Sequence, residues 1–378
     1  MPDIFPGICS GFLLAFTMSL DDFVITHFTT GAGVHTLSTK IYSEVRKGIK
    51  PEMYALSTLL FISVLFLLVL ASAMFCNSGS FSIITDAAYK PYSKPVAVNT
   101  DDDVNRVAPL SGFYSGVEAR VTGKYNYVIP TPFGTNGLVK GNNVTITPSL
   151  ELSPVTIMPQ LFVSFTPIAF LKFTTSAKIG TGWDFIGIKG MGILDSAKTG
   201  YASLNPFENY FYEFRFTNLF QFDLGAIIPG DWTHIVTQAT YEIMYTGLTG
   251  VEKGTPWLWQ ARGEKANGWN YYSQIILGYQ MPLVLQTVGL QFELSGYYNK
   301  SSFDAKYVEW NPEFMRVNIN PICILKFNEK HSLTIQSRFS SRRGFSSDRG
   351  DDATNFNLNY NGREWWFERI AFSYSYSF

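Results

Sequence analysis

From residue 210 to residue 228 the chain alternates in character. Even positions hold Tyr210, Tyr212, Phe214, Phe216, Asn218, Phe220, Phe222, Leu224, Ala226 and Ile228, while the odd positions between them include Glu213, Arg215, Thr217, Gln221 and Asp223. A period of two is the signature of a β-strand with one apolar and one polar face. The pattern returns at 284–298, where Val288, Leu290, Phe292 and Leu294 alternate with Thr287, Gln291, Glu293 and Ser295. It returns again where Leu333, Ile335 and Phe339 alternate with Thr334, Gln336 and Arg338. Strands in soluble sheets usually run for about 5–6 residues, and these are far longer. A sheet whose outer face meets lipid must pair every backbone group, so it has to close on itself.

Composition agrees with a closed sheet in a membrane. Of the 378 residues, 16% are charged and 16% are aromatic, with 21 Tyr and 32 Phe. Ordinary soluble domains carry about 25% charged residues. The mean hydropathy of +0.05 is too low for a bundle of membrane-spanning helices. A net charge of -1 gives no nucleic-acid footprint. Cys9, Cys76 and Cys323 are scattered and make neither a disulfide framework nor a metal site. His234 and His331 stand alone, without a second ligand at usable spacing, so no metal is implied. The run "GTGWDFIGIKGMG", residues 180–192, lacks nucleotide-loop spacing and reads as a strand end entering a loop. No Ser-His-Asp or H-E-x-x-H arrangement appears, so neither an enzyme nor a cofactor is expected.

Connections are unequal. Short ones fall at 229–231, around 281–282 and at 328–330; long polar ones fall near 129–142, 183–206, 249–267, 299–311 and 341–353. Short turns at one end and long loops at the other are the habit of transmembrane barrels, which are normally even-numbered. Alternation gives about eleven strands across 112–378, so the parity rule predicts twelve, with ten and fourteen as alternatives. The last strand places Ile370, Phe372, Tyr374, Tyr376 and Phe378 on one face. That ending resembles the C-terminal signal of bacterial outer-membrane barrels, which the barrel assembly machinery reads. Closure is expected to pair this strand with a first strand near 112–128. Trp257, Trp259, Trp269, Trp365 and Trp366 read as interface-girdle aromatics. Arg338 falls on the polar face and points into the lumen, with Arg342, Arg343 and Arg349 at the rim or in the following loop. This basic patch either concentrates anionic solutes or is a solvated loop beside Asp348, Asp351 and Asp352.

The N-terminus belongs to another design. Residues 7–28 are apolar but interrupted by Asp21 and Asp22, and residues 54–76 carry no charge at all. The second run exceeds the roughly 20 residues a helix needs to cross a bilayer, and two hydrophobic α-helices are predicted here. "MPDIFPGICSGFLLAF", "SLDDFVITHFTTG" and "KIYSEVRKGIKPEMYALSTLLF" follow one another in that order. Residues 1–75 thereby resemble the C-terminal end of a spermidine/putrescine ABC transporter permease. The resemblance implies that Asp21 and Asp22 lie on or near a cationic substrate's path. It begins after the coupling loop and leaves out the earlier helices, so a relic without transport activity is expected. The same residues also read as a secretory signal: Lys47 and Lys50, the apolar run 59–70, then Ala71-Ser72-Ala73.

The sequence therefore predicts a mainly β protein in three parts. Residues 1–76 are a truncated permease tail whose second helix doubles as signal or anchor. Residues 77–111 are a polar linker with room for one short strand, and residues 112–378 are a transmembrane antiparallel barrel. The expected function is a porin-like channel for small solutes in a bacterial outer membrane. Its partners are the lipid bilayer and the assembly machinery, with no nucleic acid. The alternative is a membrane component of a spermidine/putrescine ABC transporter, held in the inner membrane through the N-terminal helices.

Overall fold

The computed structural model describes residues 79–93, 106–108, 110, 116–131, 137–139, 141–346 and 352–378. The chain divides into two compact units, Met1–Phe81 and Ser82–Phe378. Of the first, only residues 79–81 are described; the two expected helices, Asp21, Asp22 and the signal-like run lie outside the described residues, as does Arg349.

The second unit is a closed antiparallel barrel of twelve strands among the described residues. In chain order they are β1 (Gly79–Lys90), β2 (Gly116–Pro130), β3 (Asn143–Ser153), β4 (Thr156–Ile168), β5 (Leu171–Gly182) and β6 (Phe211–Asp223). There follow β7 (Ile235–Leu248), β8 (Gly268–Gln280), β9 (Leu285–Tyr297), β10 (Arg316–Lys326), β11 (His331–Phe345) and β12 (Tyr360–Ser377). Each strand neighbours the next in sequence, and the sheet closes where β1 meets β12 from Ser82↔Ser377 to Tyr89↔Ile370. The last strand thus pairs with residues 82–89 and not with residues near 112–128. The first strand of the barrel lies inside the stretch that composition marks as linker.

Eleven of the twelve strands lie within 112–378, the number that alternation gives, and the twelfth is β1, upstream of that span. Pro154 and Val155 separate β3 from β4, and Ala169 and Phe170 separate β4 from β5. The first turn carries Ser153 and Pro154, ordinary turn residues, whereas the second, Ala169-Phe170, sits in apolar sequence. Connections at the end holding residues 91–115 are long, at 183–210, 249–267, 298–315 and 346–359, apart from the two-residue β3–β4 turn. At the opposite end they are short, apart from 131–142 and the link 224–234. The long connection at 131–142 therefore lies at the short-turn end.

Pleating sorts the side chains. Along β6 the even residues point outward, where Phe214, Phe216, Phe220 and Phe222 are exposed; Ile275, Leu277, Phe292, Leu294 and Phe339 continue this apolar belt on other strands. Aromatics flank the belt. At the loop end Tyr245 packs edge-on against Trp269, and Tyr271 against Tyr298. At the turn end His331 packs at a tilt on Tyr376, and Tyr376 meets Phe378 edge-on. An apolar belt between aromatic rims is how a strand surface matches the two interfaces of a bilayer.

Candidate functional site: a charged lumen crossed by a hairpin

The inward face carries the charge. Glu213 on β6 accepts an ion pair from Lys178 on β5 at 2.9 Å and another from Arg215 at 2.8 Å. Arg215 reaches on to Glu242 on β7 at 2.6 Å. Further round the wall, Gln291 on β9 bonds Gln274 on β8, and Gln336 on β11 bonds Gln291. Glu293 on β9 accepts from Asn318 on β10 and from Arg338 on β11. These partners sit side by side because the register aligns Lys178 with Glu213 and Glu293 with Asn318. A buried carboxylate without a partner is costly, and chains of charge-assisted bonds remove that cost while stiffening the wall.

The long connections fold together at the loop end of the lumen. Strands Met191–Ser196 and Gly200–Ser203, from the β5–β6 connection, pair with Trp257–Trp259 and Arg262–Lys265, from the β7–β8 connection. The four make one small sheet. Its apolar side sits on inward residues of the barrel: Met191, Trp257 and Trp259 cluster with Met158 of β4, Phe211 of β6 and Leu248 of β7. Trp257 is 0% exposed. Trp259 stacks on Phe211 with centroids 4.7 Å apart. Gly180 on β5 makes room for it, since a Cβ there would stand 3.0 Å from Cη2 of Trp259 and 2.9 Å from the Ile157 carbonyl oxygen.

The tip of this insert reaches across the lumen. Gln260 and Ala261 form a tight two-residue turn, with positive φ of 51° and 59°. Left-handed backbone at two non-glycine residues costs roughly 1–3 kcal/mol each and persists only when the surroundings enforce it. Here Gln260 Nε2 donates to Glu151 of β3 at 3.0 Å and to Thr156 of β4 at 2.9 Å. Two residues on, Arg262 pairs with Glu118 of β2 at 2.9 Å, and Arg369 of β12 joins the same carboxylate at 2.8 Å. On the hairpin's return strand, Glu264 accepts from Arg343 of β11 at 3.0 Å. Lys265 beside it is half-buried, its Nζ 5.8 Å from the Trp257 ring centroid. Burial, reinforced by Arg262, pushes its ammonium down to about 8, against the opposing pull of Glu213. The hairpin is therefore held by β2, β3, β4 and β11 at once.

Beside the hairpin, on the seam side, a cavity of about 1460 Å³ remains. Asp86, Lys90, Glu118, Arg120, Arg369 and Trp366 are among the side chains lining it.

Of the four arginines singled out from sequence, the three that are described are engaged. Arg338 pairs with Glu293 at 2.9 Å and Arg342 with Glu364 of β12. Arg343 lies over the Trp310 ring, 3.4 Å from its centroid, as well as bonding Glu264. The acids that meet these arginines come from β9, β12 and the hairpin. Of the terminal face, Ile370 lies opposite Tyr89, Phe372 opposite Ala87 and Tyr374 opposite Thr85. Phe378 is exposed and stacks edge-on against Tyr376 at 4.6 Å. Among the tryptophans read as girdle, Trp269 holds that position. Trp257 and Trp259 do not, because they anchor the insert inside the lumen, and Trp366 lines the cavity beneath Lys90 and Arg342. His234 bonds Asp223 at 2.7 Å, and among the described residues no three metal-binding side chains converge. Residues 180–192 do form a strand end, a loop and a new strand start.

Glu118, Glu151, Arg262, Lys265 and Arg369 were invisible as a group in the sequence. The one available signal was that a chain poor in charge places most of its strand charges on the inward positions.

Comparison with known proteins brings out both halves of the chain. No family model matches it. It is 53% identical over 60 residues to the putrescine transport system permease protein PotI of Escherichia coli, covering 16% of this chain and 21% of that protein. It is 40% identical over 74 residues to the spermidine/putrescine transport system permease protein PotC of Escherichia coli, covering 20% of this chain and 28% of that protein. The chain thus spans only about a fifth to a quarter of the curated relatives it matches. Among solved structures it is similar to the β domain of the Bordetella autotransporter Brka, with TM-score 0.36 and 10% identity, covering 79% of this chain and 99% of that one. It is also similar to the KdgM porin, with TM-score 0.30 and 8% identity, covering 79% of this chain and 99% of that one. The chain joins a short segment similar to polyamine permeases with a closed twelve-strand β-barrel.

Proposed function

We propose that the protein is an outer-membrane channel for small solutes, narrowed by the hairpin at 257–265. The observation that carries this reading is the division of surfaces: an apolar, aromatic-rimmed outside around a lumen lined by ion pairs and amides. Water and polar solutes follow the second surface, while lipid covers the first. The aromatic face ending at Phe378 serves as the assembly signal. In this reading the polyamine-permease segment is a relic with no part in the channel. The transporter reading rests on that short similarity alone and does not extend to the barrel.

Planar-bilayer recording of the purified protein tests the proposal, with heat-modifiable gel migration as the check on folding. The native protein is expected to give small, discrete conductance steps. Replacing residues 257–265 with a short Gly-Ser link is expected to raise the step size severalfold. A protein that is folded and inserted yet passes no current, with or without the hairpin, would end the channel reading.

A further inference from the structure

We infer that the turn-end half of the cavity, along β8 to β12, is a binding strip for uncharged solutes that carry both an amide and a branched aliphatic group. The inference names the substrate class of the proposed channel and in that sense rests on it, although binding can be measured separately from conduction.

The lumen wall is not uniform. On β2 to β7 the inward positions hold Arg120, Glu151, Lys178, Glu213, Arg215 and Glu242, joined in ion pairs. On β8 to β12, below the hairpin, the register lays out a different surface. Ile276 stands beside Gln291, Ile322 beside Gln336, and Ile324 between Thr287 and Thr334. Ala371 and Ser373 of β12 continue the rows at Gln336 and Thr334. The charges at the margins of this strip each have a partner: Arg338 with Glu293 and Arg369 with Glu118 above, Lys326 with Glu329 below, Asp86 with Arg120 across the seam. An ion of either sign entering the strip leaves water without gaining a counter-charge.

Two features of the strip call for a solute with two kinds of surface. The first is aliphatic. Ile276, Ile322 and Ile324 line the cavity half-buried and belong to neither apolar cluster of the loop insert. Inward positions of a water-filled barrel are normally polar, and apolar surface gathered in a pocket receives the apolar part of a ligand. The second feature is a chain of amides. Gln336 Nε2 donates to Gln291 Oε1 at 2.7 Å, and Gln291 Nε2 donates to Gln274 Oε1 at 2.8 Å. Tyr272 donates to Gln274 Oε1 and Glu293 accepts from Gln291 Nε2, each at 2.8 Å, which fixes the direction of the chain. Its ends are therefore an acceptor, Gln336 Oε1, and a donor, Gln274 Nε2. Among the described residues neither end atom has a partner, and neither is buried.

An amide solute offers what both ends need. Its carbonyl accepts from Gln274 or its N–H donates to Gln336, and either bond extends the chain in the chain's own direction. A polyol would press unpartnered hydroxyls against the isoleucines. A hydrocarbon would displace water from the amides without replacing its hydrogen bonds.

N-acetyl-leucinamide is neutral and carries both groups. N-acetyl-leucine and leucinamide are its anionic and cationic analogues, and N-acetylglycinamide lacks the aliphatic group. Recordings at about pH 6 keep leucinamide cationic. The native protein is expected to be blocked by N-acetyl-leucinamide at concentrations roughly fivefold below those needed for the other three. Ile322→Ser removes aliphatic surface and is expected to weaken that block by roughly fivefold. Gln336→Glu puts a carboxylate at the acceptor end and is expected to move the preference to leucinamide, a switch that misfolding does not produce. Calorimetric titration into the folded barrel, with empty micelles as the blank, reads binding without any current. Equal block by all four probes, stronger block of the native protein by either charged one, or an unchanged preference in Gln336→Glu would overturn the strip while leaving the channel standing. Absence of current with the order of binding intact would overturn the channel and leave the strip. Absence of binding in the folded protein would overturn the strip whatever the current.

Discussion

Lys265 shows at one residue what the insert costs to hold. A buried ammonium is disfavoured, and here burial lowers its ionisation to about 8 from an ordinary value near about 10.4. Because the docked value lies below the free one, the cost of enclosing a charged lysine is fully present below about pH 8. It fades as pH rises towards about 10, so docking tightens through that window. The docking equilibrium constant of the hairpin is expected to rise on the order of tenfold between pH 8 and 9.5. Single-channel recording reads this as less time spent in the wide state, and Lys265→Met should make the response flat. A pH response that survives in Lys265→Met would assign it to another group. None of this was legible in the sequence, where Lys265 sits in an ordinary polar loop. Its burial comes from Trp257, which reads as an interface aromatic until the insert is seen to fold inward.

At the level of elements, sequence resolved those strands whose two faces differ sharply. β6 and β9 alternate cleanly, and their outward and inward residues fall where the period of two puts them. β1 does not. Its outward Ile83 and Ala87 are matched by inward Ile84 and Ala88, so the contrast that marks a strand is nearly erased. The turn at 169–170 was hidden for a related reason, since apolar residues continue through it. Ion pairs are harder still, because Arg262 and Glu118 are 144 residues apart and meet only through closure. The seam gives a direct test. Ala87 and Phe372 are direct partners on the outer face. With the native cysteines replaced, Ala87→Cys and Phe372→Cys should cross-link on oxidation in the intact membrane. Deleting β1 should abolish folded, inserted protein, since an open edge in lipid leaves backbone groups unpaired. Linking of position 372 to residues 116–130 in place of position 87 would show that the seam lies elsewhere.

For the whole molecule, the two halves answer to different rules. A barrel placed in an outer membrane, as proposed, needs delivery across one membrane and insertion into another, and the run 59–73 has the order of charges, apolar residues and small residues that a secretory signal has. N-terminal sequencing of the membrane-extracted protein is expected to begin near Met74, only a few residues before β1. Asp21→Asn with Asp22→Asn should then leave cellular spermidine uptake unchanged. A mature protein that begins at Met1, or a clear fall in uptake, would show that the permease-like segment is retained for use. The hairpin at 257–265 adds a consequence for assembly. Its partners come from strands early in the chain, β2 to β4, and from a strand near its end, β11. While the seam stands open those two groups of strands are not yet held together, and the hairpin has nothing to span. It is a latch that only the finished cylinder can engage, so its closing marks the end of folding in the way a keystone marks the end of an arch.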